Sequence, residues 1–242
     1  TMKNLGFNMI RKHVKVETAR WYYHCDRLGM IVWQDMVNGG TYNAPFMTWL
    51  PALFPKFKLH TSDRIHPLFG RKNVHGREEF IRECKETVTA LKAFPCISTW
   101  VIFNEGWGQF DSKKLTALFR ELDDTRLIDS ASGWFDRRQG DFKSEHNYFA
   151  KQFVTPSDRA FVISEYGGYT CQVKGHTCSG KTYGYKICSS QEEFQAAYHK
   201  LMSEEIDPLK EQGLCGAVYT QLSDIEDEIN GLITYDREVC KL

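Results

Sequence analysis

Glu105 and Glu165 occupy the same kind of local setting. Each closes an apolar, β-rich run and is followed at once by glycine and aromatic residues. The first segment reads Trp100-Val101-Ile102-Phe103-Asn104-Glu105-Gly106-Trp107-Gly108-Gln109, the second Phe161-Val162-Ile163-Ser164-Glu165-Tyr166-Gly167-Gly168-Tyr169. A carboxyl at the C-terminal end of a barrel strand points into the mouth where such folds hold their ligands. Glycines let the backbone approach a ligand closely, and Trp107 offers a flat face to stack on it. Taken singly, Glu105 has the plain alternative of a loop carboxylate capping a helix that starts near Asp111. Glu165 has that of a surface carboxylate. Taken as a pair on one parallel barrel, the two converge on a common mouth. Paired carboxyls flanking a glycosidic bond are what acetal hydrolysis requires, because its transition state is an oxocarbenium ion. One must give a proton to the leaving oxygen, while the other attacks the anomeric carbon or activates water.

The elements that position these residues alternate. Strands are expected at residues 7–10, 30–33, 97–103, 126–129, weakly at 143–146, and at 161–164 and 215–221. Helices are expected at 18–28, closed by Gly29, at 78–93 before Pro95, at 112–122 and at 191–212. Strands that are apolar throughout, separated by amphipathic helices, indicate a parallel sheet flanked by helices. The pattern holds seven strands where a (β/α)8 TIM barrel needs eight. The expectation is therefore such a barrel over residues 1–242, lacking its first strand and final helix and forming a fragment of a longer protein. An open barrel of that kind would leave a strand edge unpaired, making the chain aggregation-prone or dependent on a partner. Two long insertions follow strands. Residues 36–76 carry Tyr42, Phe46, Trp49, Phe54, Phe57 and Phe69, and residues 166–190 are rich in Gly, Tyr and Cys. Both fall on the face where barrel sites sit.

Composition narrows the partners. The chain has 31 Lys plus Arg against 31 Asp plus Glu and no long basic stretch, which argues against nucleic acid. No apolar run is long enough to span a bilayer. Aromatics at 14% supply more flat faces than a core of this size needs, as sugar-binding clefts do. The eight cysteines form no CxxC pair. Cys171, His176, Cys178 and Cys188 match no common zinc module, so free thiols in a reducing cytoplasm are the simpler reading.

With these residues in place, the sequence resembles the catalytic barrel of glycoside hydrolase family 2, which holds β-galactosidases, β-glucuronidases and β-mannosidases. The resemblance is carried by Gly6-Phe7-Asn8-Met9-Ile10-Arg11-Lys12-His13, Trp21-Tyr22, Cys25-Asp26-Arg27-Leu28-Gly29 and Trp33-Gln34-Asp35. It continues through Phe103-Asn104-Glu105, Ser164-Glu165-Tyr166-Gly167-Gly168 and Tyr219-Thr220-Gln221, covering nearly the whole chain in order. It implies a retaining, exo-acting β-glycosidase with Glu105 as acid/base and Glu165 as nucleophile, and with no metal or cofactor. Glu105 should then be held protonated by burial and by the neighbouring Glu165 charge. Arg11 stands where the family has an arginine near the nucleophile, with a structural ion pair as the alternative. Asn104 is implied in a hydrogen bond to the sugar's 2-hydroxyl. Trp33, Asp35, His146 and Tyr148 lie at or just past strand ends. For them sugar contact and plain packing weigh equally, and Tyr148 is expected to hydrogen-bond Glu165. Trp21 and Trp100 belong to the core. The resemblance also implies β-sandwich domains ahead of the barrel in the longer protein, and a homo-oligomer is compatible with it.

Departures leave the sugar open. Where galactosidases of the family carry a histidine three residues after the arginine, this chain has Val14, and His13 is one place out of step. The last strand ends in Tyr-Thr-Gln without the tryptophan found there in several members. The acidic run 224–228 reads as a solvated loop rather than a cation site. Three rivals remain: a carbohydrate-binding pseudo-enzyme or inactive fragment of the same fold, a metal-dependent hydrolase using His13, Asp35 and His146, and an interaction scaffold.

Overall fold

The computed structural model describes residues 1–43, 45–53, 61–178 and 180–242. Phe54 and Phe57 of the first insertion lie outside the described residues. The chain forms two compact units, residues 1–145 with 157–160 and residues 146–156 with 161–242.

The first unit is built on a four-stranded parallel sheet in the order β1 (Met9–Lys12), β2 (Ile31–Asp35), β3 (Ile97–Val101) and β4 (Leu127–Asp129). Its register places Arg11 beside Trp33, Trp33 beside Thr99, and Asp35 beside Val101, which in turn lies beside Asp129. Register partners and every second residue along a strand share a face. One face therefore carries Arg11, Trp33, Asp35, Thr99 and Asp129, and the other carries Ile10, Val32, Trp100 and Ile128. The apolar face is covered by α1 (Ala19–Leu28), α3 (Val74–Leu91) and α4 (Ser112–Leu122), with the short α2 (Leu50–Leu53) in the insertion.

The helices form where the apolar spacing says they should. In α3 the buried residues are Phe80, Cys84, Val88 and Leu91, one stripe at intervals of four and three. That helix begins four residues before the expected start. Asn73 caps it by accepting from the Gly76 N–H at 3.2 Å, a signal that the apolar periodicity alone does not carry. Helix α4 has the expected bounds, and α1 ends at Gly29 in the left-handed conformation (φ 62°). Trp100 is fully buried, and its indole N–H donates to Asp123 at 2.9 Å. Burying a side chain of this kind contributes roughly 1.5–3 kcal/mol.

Strand β5 (Phe142–Asn147) leads from the first unit into the second. There β6 (Ala160–Gly167) pairs in parallel with β9 (Leu214–Thr220). The insertion after β6 contains a further parallel pair, β7 (Tyr169–Cys171) with β8 (Lys186–Cys188), too short to be visible in the sequence pattern. The helix expected over 191–212 is present as α5 (Gln191–Leu201), a π turn at Met202–Ile206, and α6 (Asp207–Lys210). Pro208 at the start of α6 has no N–H for an α-type bond, and a widened turn before it accommodates the ring. The reading of 224–228 as solvated needs correction at its first residue. Asp224 is buried and accepts from Lys241 Nζ at 2.7 Å, while Lys241, itself fully buried, also donates to the Ile229 carbonyl at 3.0 Å. The partner lies 17 residues downstream, so no local pattern announces it.

Candidate active site

In the first unit the C-terminal ends of β1, β2 and β3 bring together Arg11, Asp35, Asn104 and Glu105. Arg11 makes a two-pronged contact with Asp35, Nε to Oδ1 at 3.0 Å and Nη2 to Oδ2 at 2.8 Å. It also donates from Nη2 to Asn104 Oδ1 at 2.7 Å. The planar guanidinium suits such a fork. The pair is buried, and the Val14 N–H adds a bond to Asp35 Oδ2 at 3.2 Å. Burial opposes ionisation of Asp35, but the Arg11 charge and hydrogen bonds from His13 and Arg11 outweigh it and hold the carboxyl below its usual range. Asp35 is thus engaged within the protein, as the ion-pair alternative for Arg11 foresaw. Because a guanidinium can only donate, the carbonyl end of Asn104 must face Arg11.

Glu105 follows in a left-handed backbone conformation (φ 53°), its N–H donating to the Ser132 carbonyl at 3.0 Å. That conformation is unfavourable for a non-glycine residue and persists only where its surroundings enforce it. Next to it, Gly106 (φ 71°) lies so close to Phe135 that a Cβ would come within 2.4 Å of the ring. Only glycine fits the turn that aims Glu105. Burial pushes the Glu105 carboxyl up to about 7, against the opposing pull of His13 and Arg11. Trp107 is half-buried, with its indole N–H donating to the Gly40 carbonyl at 3.0 Å. Trp33 is buried with its ring 4.8 Å from that of Phe142, a packing position on the polar face of the sheet.

Two further first-unit residues adjoin this cluster: His13, weighed in the sequence only as a metal ligand of a rival reading, and Asp129, which the sequence reading passed over. His13 Nδ1 lies 3.5 Å from Asp35 Oδ2. Asp129 ends β4 with one buried oxygen, Oδ2, that has no partner among the described residues. Burial pushes it up to about 6, against Arg11 and a hydrogen bond from Ser144. A signal for Asp129 did exist, since Leu127-Ile128-Asp129 is again an apolar strand ending in an acid.

In the second unit Glu165 lies near the end of β6. Tyr148 donates its hydroxyl hydrogen to Glu165 Oε2 at 2.5 Å, the contact expected for it, and its oxygen lies 3.1 Å from Thr220 Oγ1 at the end of β9. The buried His146 places Nδ1 3.4 Å from the same Glu165 oxygen. Tyr185, which the sequence reading passed over, stacks on Tyr148 with centroids 3.8 Å apart and planes 7° from parallel. The tyrosine that touches the carboxylate is thereby held in one orientation.

Cys171 and Cys188 are buried register partners on β7 and β8, Cys178 is exposed, and His176 Nδ1 contacts Asp236 at 2.7 Å. Among the described residues no helix is long and apolar enough to cross a membrane.

Comparison with known proteins places these features in a family. The model of the TIM barrel domain of glycosyl hydrolases family 2 matches residues 1–241. Among solved structures, the FMN-binding β-glucuronidase from Facaelibacterium prausnitzii L2-6 aligns at 19% identity and a TM-score of 0.61, over 98% of this chain and 37% of its own. The β-D-glucuronidase of Dictyoglomus thermophilum aligns at 14% identity and 0.62, over 99% and 43%. The family 2 β-galacturonidase from Eisenbergiella tayi, bound to galacturonate, aligns at 16% and 0.59, over 93% and 39%. At these identities the likeness is one of fold, the α/β TIM barrel. The chain spans about two fifths of the length of these three proteins. No curated protein matches it in sequence.

Proposed function

This chain belongs to glycosyl hydrolase family 2 through its TIM barrel domain, and on that premise we propose that it cleaves terminal β-linked sugars by retaining double displacement, with Glu105 as acid/base and Glu165 as nucleophile. The observation that carries the proposal is the unlike condition of the two carboxyls. Glu105 is pushed up to about 7 by burial and so keeps its proton on about half of the molecules at neutral pH. Glu165 accepts a 2.5 Å hydrogen bond from Tyr148, a donor suited to an ionised oxygen. An acid that can donate and a carboxylate that can attack are the two partners this chemistry needs.

In the first step the Glu165 carboxylate forms a bond to the anomeric carbon. The bond from that carbon to the leaving oxygen breaks, and Glu105 gives its proton to that oxygen. Glu105 then takes a proton from water as the water oxygen attacks the anomeric carbon, and Glu165 departs as a carboxylate. The reading requires the two carboxyls about 5–5.5 Å apart across one anomeric centre. Asn104, its carbonyl turned to Arg11, keeps an N–H for the sugar's 2-hydroxyl, a contact that strengthens in the transition state. Arg11 and Asp35 act by holding Asn104 in that orientation.

The test is turnover of para-nitrophenyl β-galactoside, β-glucuronide, β-mannoside and β-glucoside, beside Glu165→Gln. At least one glycoside should be hydrolysed with retention at the anomeric carbon. Glu165→Gln should lower kcat roughly 10⁴-fold or more, as removal of a covalent nucleophile does. An inverted product, or a Glu165→Gln enzyme of near-normal rate, would refute the assignment.

A further inference from the structure

The insertion after β6 is held by a ribbon only three residue pairs long. Tyr169 lies beside Lys186, Thr170 beside Ile187, and Cys171 beside Cys188. The ladder begins one step earlier, where the Tyr185 N–H donates to the Gly168 carbonyl at 3.1 Å. Tyr185 is the ring on which Tyr148 stacks, and Tyr148 donates to Glu165. The register of this ribbon therefore sets the ring that orients the donor to Glu165. Two strands of this length are marginal by themselves, and a slip of one residue would turn every side chain to the opposite face.

The far end of the ladder carries two buried residues, Cys171 and Cys188, both thiols in the structure. Register partners on neighbouring strands have Cα atoms about 4.8 Å apart and Cβ atoms on one face. A disulfide spans Cα separations of about 4.4–6.8 Å. Side chains on this face do reach across the ribbon: two residues back, Lys186 Nζ lies 5.0 Å from the centre of the Tyr169 ring. Burial raises both thiols above their ordinary range. Few are thiolates while the ribbon is closed, so exchange waits for it to open.

We propose that Cys171 and Cys188 are a site of reversible disulfide formation, which locks the register of the ribbon and with it the Tyr185 ring. The oxidant is a small-molecule disulfide such as oxidised glutathione. As the ribbon opens, the thiolate of one cysteine attacks a glutathione sulfur and displaces the other glutathione as a thiolate. The thiolate of the second cysteine then attacks the protein sulfur of that mixed disulfide, and the second glutathione leaves. Two protein thiols are oxidised, one glutathione disulfide is reduced to two thiols, and the two protons pass to the departing thiolates. The new bond closes the loop between residues 171 and 188, and such a cross-link removes conformations from the open state.

The test refolds the full chain from urea with oxidised or with reduced glutathione and blocks the remaining thiols with N-ethylmaleimide. Tryptic mapping without reductant should find peptide 160–174, which holds Cys171, joined to peptide 187–200, which holds Cys188, in the oxidised sample only. Deuterium exchange at the Tyr185 N–H should be at least about 10-fold slower in the oxidised chain. The folded chain, given the same oxidant without urea, should yield the same joined peptide more slowly, so the result does not depend on refolding. Cys178→Ser should leave both results unchanged. Cys188→Ala should abolish the joined peptide and return exchange under oxidising conditions to the reduced rate. If Cys171 and Cys188 stay reduced, carry glutathione, or join other cysteines such as Cys178, the site is overturned. A joined peptide with Tyr185 exchange unchanged would overturn the lock. Neither readout requires turnover of a glycoside.

Discussion

Glu105 in the first unit and Glu165 in the second are surrounded by opposite kinds of protein. Around Glu105, burial dominates. The carboxyl is pushed up to about 7 although two cationic groups, His13 and Arg11, pull the other way. Around Glu165 stand polar groups, with the Tyr148 hydroxyl donating at 2.5 Å and a His146 nitrogen 3.4 Å from the same oxygen. Each environment has its own scaffold. Arg11 in the first unit is turned to Asp35 and Asn104, while the second unit positions its donor by stacking Tyr148 on Tyr185. The comparison teaches that one local motif, an apolar strand ending in glutamate before glycine and aromatic residues, is neutral as to role. On the proposed roles, acid and nucleophile are distinguished by what the rest of the fold packs around the carboxyl.

The sharpest way to break that comparison is to remove the acid and vary the leaving group. Glu105→Gln should cost roughly 10²–10⁴-fold in kcat on a methyl glycoside, the range that general acid–base catalysis contributes. It should cost far less on a para-nitrophenyl glycoside, whose phenolate departs without a proton. Glu165→Gln should spare neither. Steady-state rates on the two substrates would decide it, and equal losses for Glu105→Gln would dissolve the distinction between the residues.

Next in size is the scaffold of the first unit. Asp35→Ala removes the two-pronged carboxylate partner of the buried Arg11, and breaking such a pair costs about 3–5 kcal/mol of stability by denaturant unfolding. Replacing both members by apolar residues of similar volume should cost less. A single replacement as cheap as the double one would show that the pair is not what holds this end of the sheet.

The smallest effect, and the most specific, is in pH. In the unfolded chain a glutamate ionises near 4.3, while in the fold Glu105 does so only near 7. Below the lower value the carboxyl is neutral in both states. As pH rises through this window the unfolded state loses its proton first, so stability falls, and it stays lowered above about 7. Glu105→Gln removes that penalty. It should raise the thermal midpoint at pH 8 and leave it nearly unchanged at pH 4. In the intact chain kcat/KM should decline as pH rises through about 7, because the acid is then ionised. A midpoint raised equally at both pH values would place the effect in packing rather than in the proton.

Much of the secondary structure was readable because short-range physics sets it. Alternation of apolar strands and amphipathic helices located all seven expected strands and the bounds of α4, and Gly29 marked the end of α1. The resemblance singled out both glutamates, Asn104 and Arg11, and the place of Tyr148 just past a strand end suggested its bond to Glu165, which is present. The Ser144 bond to Asp129 (an acid whose place at a strand end was itself legible), the Tyr185 stack and the Lys241–Asp224 pair were not anticipated. Their partners lie 15 residues away for Asp129 with Ser144, 37 for Tyr185 with Tyr148, and 17 for Lys241 with Asp224. No periodicity links positions that far apart.

Chain order alone determined where acids end strands and where glycines follow them, because backbone conformation and apolar spacing act over a few residues. Only the tertiary structure decided that Asp35 would be engaged by Arg11, that Asn104 would turn its carbonyl to the same guanidinium, and that the Glu105 carboxyl would be pushed up to about 7. The reason is desolvation. The charge state of a carboxyl depends on every group that displaces water from it, and that set is assembled from strands, loops and helices distant in sequence.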